Sequence, residues 1–413
     1  MKKSKLLNIY KILALAFVIM LLALPKAVLR TPEIEAKLLI TTLGVDREQE
    51  KIIASGTAVM PSEAHDGSTM RLSVYAEGES LSEALERLSI KMGKKLELGL
   101  CGLVVVGNTL EKESVLPYLE YLLSSGKIIP GAYLVYSPDR TAKEAIEMTN
   151  SLSEATSNGI SKLIEHNANL TNVTAVTLHK FLSNSHGPSK ASFMPCLRVR
   201  EKQSSSSTSG GSQGSGGSSQ GGSSQGGSGG SSQGGETEIE CLKKISLFDN
   251  GLRVAEMDDE QTRGFTWTDK KSTRGLVTLD NLVVESREVG EIYCQLLDKE
   301  YKLKTKIKDG KVQAIIVIDA LLAFEDRYKI SNLFRYDKIS EGAIDEALRE
   351  QYATSIKNEL KLALSKMKES NCDVIGVKEN LYRHHGKDYK DKNLSQVDFS
   401  SIPVDIKVKV RFK

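Results

Sequence analysis

Apolar and polar positions alternate along much of this chain, and where the alternation stops a 3.6-residue rhythm takes over. Residues 36–46, 51–60 and 69–77 read as strands, the first closed by the turn signal of Gly44 and Asp46. Ser80-Leu81-Ser82-Glu83 is a capping box, and Leu81, Ala84, Leu85, Leu88 and Met92 recur at helical spacing until Gly93. Residues 96–107 predict one strongly buried strand. Leu116, Leu119, Leu122 and Leu123 mark one face of the next helix, with Pro117 limiting its start and Gly126 beyond its end. There follow a strand at 131–136, a second capping box (Thr141 to Glu144) opening helix 141–150, helical stretches near 153–167 and 174–184, and a strand at 191–200. Glu83 and Glu144 stand where they satisfy backbone donors and the helix dipole, which accounts for both without chemistry.

The pattern resumes after residue 236. Residues 237–248 and 251–256 predict a hairpin turned at Asp249-Asn250-Gly251. Asp258 is placed to cap a short helix with Asp259 and Glu260 in its first turn, Arg263 within reach of these acids, and Gly264 as its terminator. Strands at 274–285, 289–308 and 311–323 come next, the last two joined by an Asp309-Gly310 turn. Ser340 caps the longest helix. Its stripe of Ile344, Leu348, Tyr352, Ile356, Leu360, Ala363 and Met367 faces a core, and Glu350, Lys357, Glu359, Lys361 and Lys366 face water. The closing strand, 402–412, alternates Ile402, Val404, Ile406, Val408, Val410 and Phe412 with polar residues, tying the terminus into a sheet.

Two stretches stand outside both rhythms. Residues 203–235 are almost wholly Gly, Ser and Gln, with Gly-Gly-Ser-Ser-Gln recurring at 216–220, 221–225 and 229–233. Such a segment has nothing to bury and reads as a solvated coil spanning on the order of 30 Å, either between folded units or as a surface loop. At the amino end, Lys2, Lys3, Lys5 and Lys11 precede an apolar run from Ile12 to Leu24. That is the charge pattern of an export leader, and the alternatives of a retained anchor, cleavage near Ala27 and a buried helix all stay open. The predicted fold class is therefore α+β. Mixed sheets flanked by helices fill two blocks, 31–202 and 236–413 (three domains if one divides), joined by the linker 203–235 and preceded by a membrane segment, 1–30.

Composition adds mainly exclusions. A formal charge of +3 with four lysines before residue 12 leaves no basic excess for nucleic acid in the folded part. The five cysteines, 101, 196, 241, 294 and 372, form no Cys-x-x-Cys pair. Leu-Gly-Leu-Cys101 resembles a lipidation box but lies far from the leader, so it reads as part of a buried strand. His65, His166, His179 and His186 sit in separate elements with no nucleophile elbow or metal motif around them. The polar cluster of Asp373, Arg383, His384, His385 and Asp388 has no third ligand at zinc spacing. No catalytic, cofactor-binding or metal-ligating residue is assigned, and the chain reads as a non-enzyme.

Five pieces in register carry a family resemblance: PEIEAKLLITTLGVD at 32–46, GESLSEALERLSIKMGKKLELGLCGLVVVG at 78–107, SLFDNGLRVAEMDDEQTRGFTW at 246–267, DVIGVKENLYR at 373–383 and PVDIKVKVRF at 403–412. The chain resembles the Ger(x)C family, the C subunits of nutrient germinant receptors in spore formers. The resemblance implies a non-enzymatic extracytoplasmic subunit on the outer face of the spore inner membrane, beside integral-membrane A and B subunits. It assigns no contact with the nutrient. The family's Glu-Thr-Arg-Gly motif is matched by Glu260, Thr262, Arg263 and Gly264, with Gln261 inserted, and its Asp-Ile-Phe-Gly motif by Asp373-Val374-Ile375-Gly376. With Arg383 these are the candidate interaction residues. The family's lipidated leader cysteine is replaced here by Pro25-Lys26-Ala27. A general exported scaffold or solute-binding module is the alternative.

Overall fold

The computed structural model describes residues 13–15, 17–18, 36–61, 69–151, 160, 164, 174–201, 237–308, 311–324 and 341–413. Most of the expected leader, the helical stretch near 153–167, the Gly/Ser/Gln segment, the Asp309-Gly310 turn and the Ser340 cap lie outside them. Among the described residues no helix is long and apolar enough to cross a membrane.

The first sheet is mixed. Its strands are β1 (Lys37–Glu48), β2 (Lys51–Pro61), β3 (Thr69–Gly78), β4 (Lys95–Glu97), β5 (Leu103–Gly107), β6 (Tyr133–Ser137), β7 (Val176–Thr177), β8 (Ala191–Glu201), β9 (Thr237–Asp249) and β10 (Leu252–Met257). The main order is β10-β9-β8-β6-β5-β1-β2-β3, with β4 on β1 and β7 on β6. Alternation along β5 and β6 explains two layers. Val104, Val106, Leu134 and Tyr136 face one side, and Leu103, Val105 and Val135 face the other. Helices α1 (Leu81–Met92), α2 (Leu116–Ser124) and α4 (Leu178–Ser185) contribute Leu85, Leu119 and Phe181 to the first layer, and α3 (Ala142–Ser151) contributes Ala145 and Ile146 to the second.

Three sequence expectations change here. The strand expected over 96–107 is broken. A turn closed by the Cys101 N–H on the Leu98 carbonyl (2.9 Å) separates β4 from β5, next to a register shift in β1 between Ile40 and Thr42. Cys101 is fully buried in that turn. β1 does not stop at Asp46; it turns at Gln49, and Asp46 is buried, accepting from the Ala142 and Lys143 amides at 2.8 and 2.9 Å. Burial pushes the Asp46 carboxyl up, while those amide bonds hold it down. Finally, the Gly/Ser/Gln stretch does not divide the sheet. β8 and β9 pair antiparallel, Glu201 opposite Thr237, so the segments on either side of residues 203–235 are hydrogen-bonded neighbours.

The second sheet runs β11 (Gly275–Val284), β12 (Arg287–Lys308), β13 (Lys311–Phe324) and β14 (Val404–Phe412), with β14 parallel to β13. The long helix α6 (Glu341–Glu369) lays its predicted stripe on it. Leu348, Tyr352, Ile356, Leu360 and Met367 are fully buried, and the Tyr352 hydroxyl donates to the Ile292 carbonyl at 3.0 Å. Two short helices, α5 (Asp259–Thr266) and α7 (Val377–His384), fill the space between the sheets.

Candidate functional site

Helix α5 carries the first candidate motif. Asp258 accepts the Gln261 amide at 2.8 Å, and Gln261 returns a carbonyl to the Asp258 amide at 3.1 Å, so the inserted Gln261 completes a capping box. The motif then splits by helical phase. Glu260 and Arg263 point outward, while Thr262 and Gly264 are buried. Gly264 is not the terminator; Trp267 is the C-cap. A Cβ at Gly264 would collide with the Glu359 carbonyl oxygen and reach Ala363 Cβ at 3.1 Å, so the glycine is what lets α5 touch the backbone of α6. On its other side Phe265 meets Phe193 of β8 edge-to-face, 4.9 Å between centroids.

Glu359, expected on the solvated face of α6, is drawn inward. It accepts from Trp267 Nε1 at 2.7 Å and pairs with Arg263 Nε at 2.9 Å, its side chain only 15% exposed. Arg263 thus bridges to α6 instead of pairing with Asp259 or Glu260. Burial pushes the Glu359 carboxyl up, opposed by Trp267 and Arg263. The carboxyl end of α5 is closed by Lys299, whose buried ammonium donates to the Thr266 and Asp269 carbonyls, both at 2.7 Å. Desolvation pulls that ammonium down to about 8. The Thr262 hydroxyl is buried with no partner among the described residues.

Beside this junction lies a cleft of about 540 Å³ between α5, β11 and α6. Glu260, Asp280, Glu350 and Glu359 line it against a single guanidinium, Arg263, and the exposed Leu276 and Leu362 supply apolar walls. The arrangement suits a cationic, partly apolar segment.

The second motif is a carboxylate joint. Asp373 is 2% exposed. Its oxygens accept from the Val377 and Lys378 amides at 2.8 Å each and from the Ser189 hydroxyl at 2.7 Å. Gly376, at φ 80°, supplies the left-handed step that folds the chain back over the carboxylate into α7. Desolvation outweighs these bonds and raises the carboxyl to about 6. Next to it the buried Cys372 thiol donates to the Phe248 carbonyl at 3.4 Å. Arg383 is not part of this cluster; it is mostly exposed and pairs with Glu379 at 2.7 Å. His385 Nε2 lies 3.1 Å from the Thr305 carbonyl, and Asp388 pairs with Lys392. Among the described residues no three His, Cys, Asp or Glu side chains converge as metal ligands.

The seven candidate residues therefore fall into two groups and one outlier. Glu260, Thr262, Arg263 and Gly264 come together on α6, Asp373 and Gly376 at the start of α7, and Arg383 stands apart. Both groups fasten to the start of β8, through Phe193 and Ser189. Sequence reasoning missed Glu359, Trp267, Lys299 and Ser189. The chain's single tryptophan, directly after the motif, was the available signal.

Residues 30–199 match the family model described as "Spore germination protein N-terminal domain", and residues 243–413 the one described as "Spore germination B3/ GerAC like, C-terminal". The chain belongs to the Ger(x)C family of spore germination proteins. A solved structure described as "Crystal Structure of the GerBC protein" superposes with a TM-score of 0.50 at 11% identity, covering 90% of this chain and 96% of that one. At that identity the likeness speaks for the fold. No curated protein matches the chain. The boundary between the two Ger(x)C models falls at the Gly/Ser/Gln segment, yet β9 and β10 belong by pairing to the first sheet.

Proposed function

We propose that this Ger(x)C chain is the non-enzymatic, membrane-anchored C subunit of a nutrient germinant receptor, on the outer face of the spore inner membrane. It couples germinant sensing to germination through contacts with the integral-membrane A and B subunits. One observation carries the reading: both family motifs lie where the two sheets are fastened together. A subunit that relays a signal by contact needs its halves joined firmly, and residues spent on that joint account for two motifs with no reaction attached. In this reading residues 203–235 separate the family's two units in sequence, while the β8–β9 pair and the two joints hold them together. The leader supplies the anchor and makes docking to the A and B subunits effectively intramolecular.

The acidic cleft beside α5 is the docking place for a basic segment of an integral-membrane subunit. The test is co-purification of the A and B subunits with tagged Glu260→Lys from spore membranes. Glu260 is exposed, so the variant should fold as the parent does by circular dichroism while recovering several-fold less of its partners. Undiminished recovery would remove the cleft from the interface.

A further inference from the structure

The strand directions single out one end of the first sheet. β4 and β5 run parallel to β1, β6 runs parallel to β5, and β3 shares the direction of β1 because both are antiparallel to β2. All five strands therefore begin at one end. Register places the starts of β4 and β3 at the start of β1, with Lys37 opposite Lys95 and Pro61 opposite Thr69, while β5 and β6 start together (Leu103 opposite Tyr133) level with Thr42, so the edge of this end is stepped. The chain before residue 36, with its basic and apolar leader, enters here.

This end is unusually greasy for a surface. Met70 and Leu72 near the start of β3, Ile90 near the end of α1, Leu100 before β5 and Ile129 before β6 are 53%, 37%, 72%, 60% and 42% exposed. Apart from Tyr75, they are all the exposed large hydrophobics described between residues 36 and 201. The opposite end, at the turns after β1, β3 and β6, carries polar residues such as Gln49, Glu50, Glu79 and Asp139. Around the greasy end stand Lys94, Lys95 and Lys127, while Glu97 is paired with Lys37 at 3.5 Å.

We propose that the β1–β6 side of this end, away from the start of β8 where the second half is fastened, lies against an anionic lipid surface, with Met70, Ile90, Leu100 and Ile129 entering the interface and Lys94, Lys95 and Lys127 meeting lipid phosphates. Exposed apolar side chains rimmed by lysine are the chemistry of interfacial binding. Two further observations select lipid as the occupant. The leader enters at this end, which keeps it against the bilayer, and the charge complements anionic headgroups, each lysine being worth roughly five-fold in association. The sheet then stands upright, with the β1–β2 turn roughly 35 Å from the surface at about 3.3 Å per residue along β1. The inference rests on the anchored reading above.

The test uses the full chain in vesicles of phosphatidylcholine with phosphatidylglycerol. A polarity-sensitive probe sits on one introduced cysteine, Met70→Cys, Ile129→Cys or Glu50→Cys, each with Cys241→Ser, and the four buried thiols stay in place. Headgroup-level nitroxide lipid should quench the probes at 70 and 129 several-fold more than the probe at 50. Lys95→Gln with Lys127→Gln, or vesicles of phosphatidylcholine alone, should erase most of that difference. Equal quenching at all three sites, or stronger quenching at 50, overturns the proposal. So does a chain that floats with the vesicles while every probe stays unquenched, which leaves the anchor standing without the upright pose. A chain that fails to float removes the anchored reading and this inference with it. Shielding at 70 and 129 that appears only when the A and B subunits are present assigns the surface to protein and also overturns it.

Discussion

The two joints perform the same task by different physics. At Gly264 two helix backbones are brought together by the absence of a side chain, and the contact is van der Waals packing with no titrating atom. At Asp373 a buried carboxylate gathers two helix amides and a serine hydroxyl, and the contact is electrostatic. The Gly264 contact itself should be brittle to added volume and indifferent to pH, the titrating groups of that joint being Glu359 and Lys299 beside it. The second should tolerate small changes of volume and respond to protons. Glycine content alone does not mark the difference, because each motif ends in a glycine. Gly264 is short of space, whereas Gly376 has Glu379 Cβ at 3.6 Å and needs only its left-handed φ.

The largest expected effect follows from that contrast. Gly264→Ala should destabilise the chain by about 3 kcal/mol, the upper end for overpacking, because the obstacle is helix backbone and neither helix can swing a rotamer aside. Gly376→Ala should cost only about 1–2 kcal/mol, the penalty of a left-handed alanine. Urea midpoints of the two variants measured together decide the matter. Equal losses would mean that α5 slides on α6 to make room.

Asp373→Asn probes the other joint. The carboxyl titrates near pH 6 when folded against 3.8 ordinarily, so between those values the folded chain binds more protons than the unfolded one. This contribution to stability is complete below pH 3.8 and is lost as pH rises through 6, roughly 3 kcal/mol across the window. The asparagine variant should lose that slope and, with an amide NH₂ facing amide donors, about 1–3 kcal/mol at pH 7. Stability curves from pH 4 to 7 that stay parallel for parent and variant would show that Asp373 keeps an ordinary affinity for protons.

Much of this fold was legible in the chain because the responsible signals are local. The α6 stripe, the Asp249-Asn250-Gly251 hairpin and the caps at Ser80, Thr141 and Asp258 are each written within a few residues. What stayed hidden is written in two places at once. Gly264 read as a helix terminator because nothing nearby announces that Glu359 will press on it. Glu359 read as solvated because the phase of α6 puts it one residue from Leu360, at the margin of the stripe, where only the arrival of Trp267 and Arg263 decides its side. Asp46 read as a turn residue because its partners, the Ala142 and Lys143 amides, are nearly a hundred positions away. The break between β4 and β5 was masked by the apolar run from Leu98 to Gly107, in which Gly99 and Gly102 were the local hint.

Lys299 offers a smaller test of opposite sign. Its ammonium is held down to about 8 against an ordinary 10.5, so in that interval the unfolded chain binds more protons and stability rises with pH. Lys299→Met should flatten the curve from pH 8 to 10.5; at pH 7 it removes a desolvated charge and takes the ammonium donor from the Asp269 carbonyl, while the Thr266 carbonyl keeps the Asp269 amide. A rising curve that survives the substitution would place the titration on another group.

Thr262 closes the comparison with the smallest effect. Asp373 is buried with every oxygen engaged, whereas the Thr262 hydroxyl is buried in the packing joint with no partner among the described residues. An unmade hydrogen bond costs the desolvation of the group, so exchanging that hydroxyl for a methyl of similar size removes a penalty and no interaction. Thr262→Val should therefore leave the urea midpoint unchanged or raise stability by up to about 1 kcal/mol, where the same exchange at a satisfied hydroxyl would lower it. A clear loss would mean that a bound water or an altered helix phase gives Thr262 a partner, a further polar contact beside the Trp267–Glu359 and Arg263–Glu359 pairs of the α5 joint. The packing around Gly264 would then be held partly by a hydrogen bond, and the contrast with Asp373 would rest on Gly264 alone.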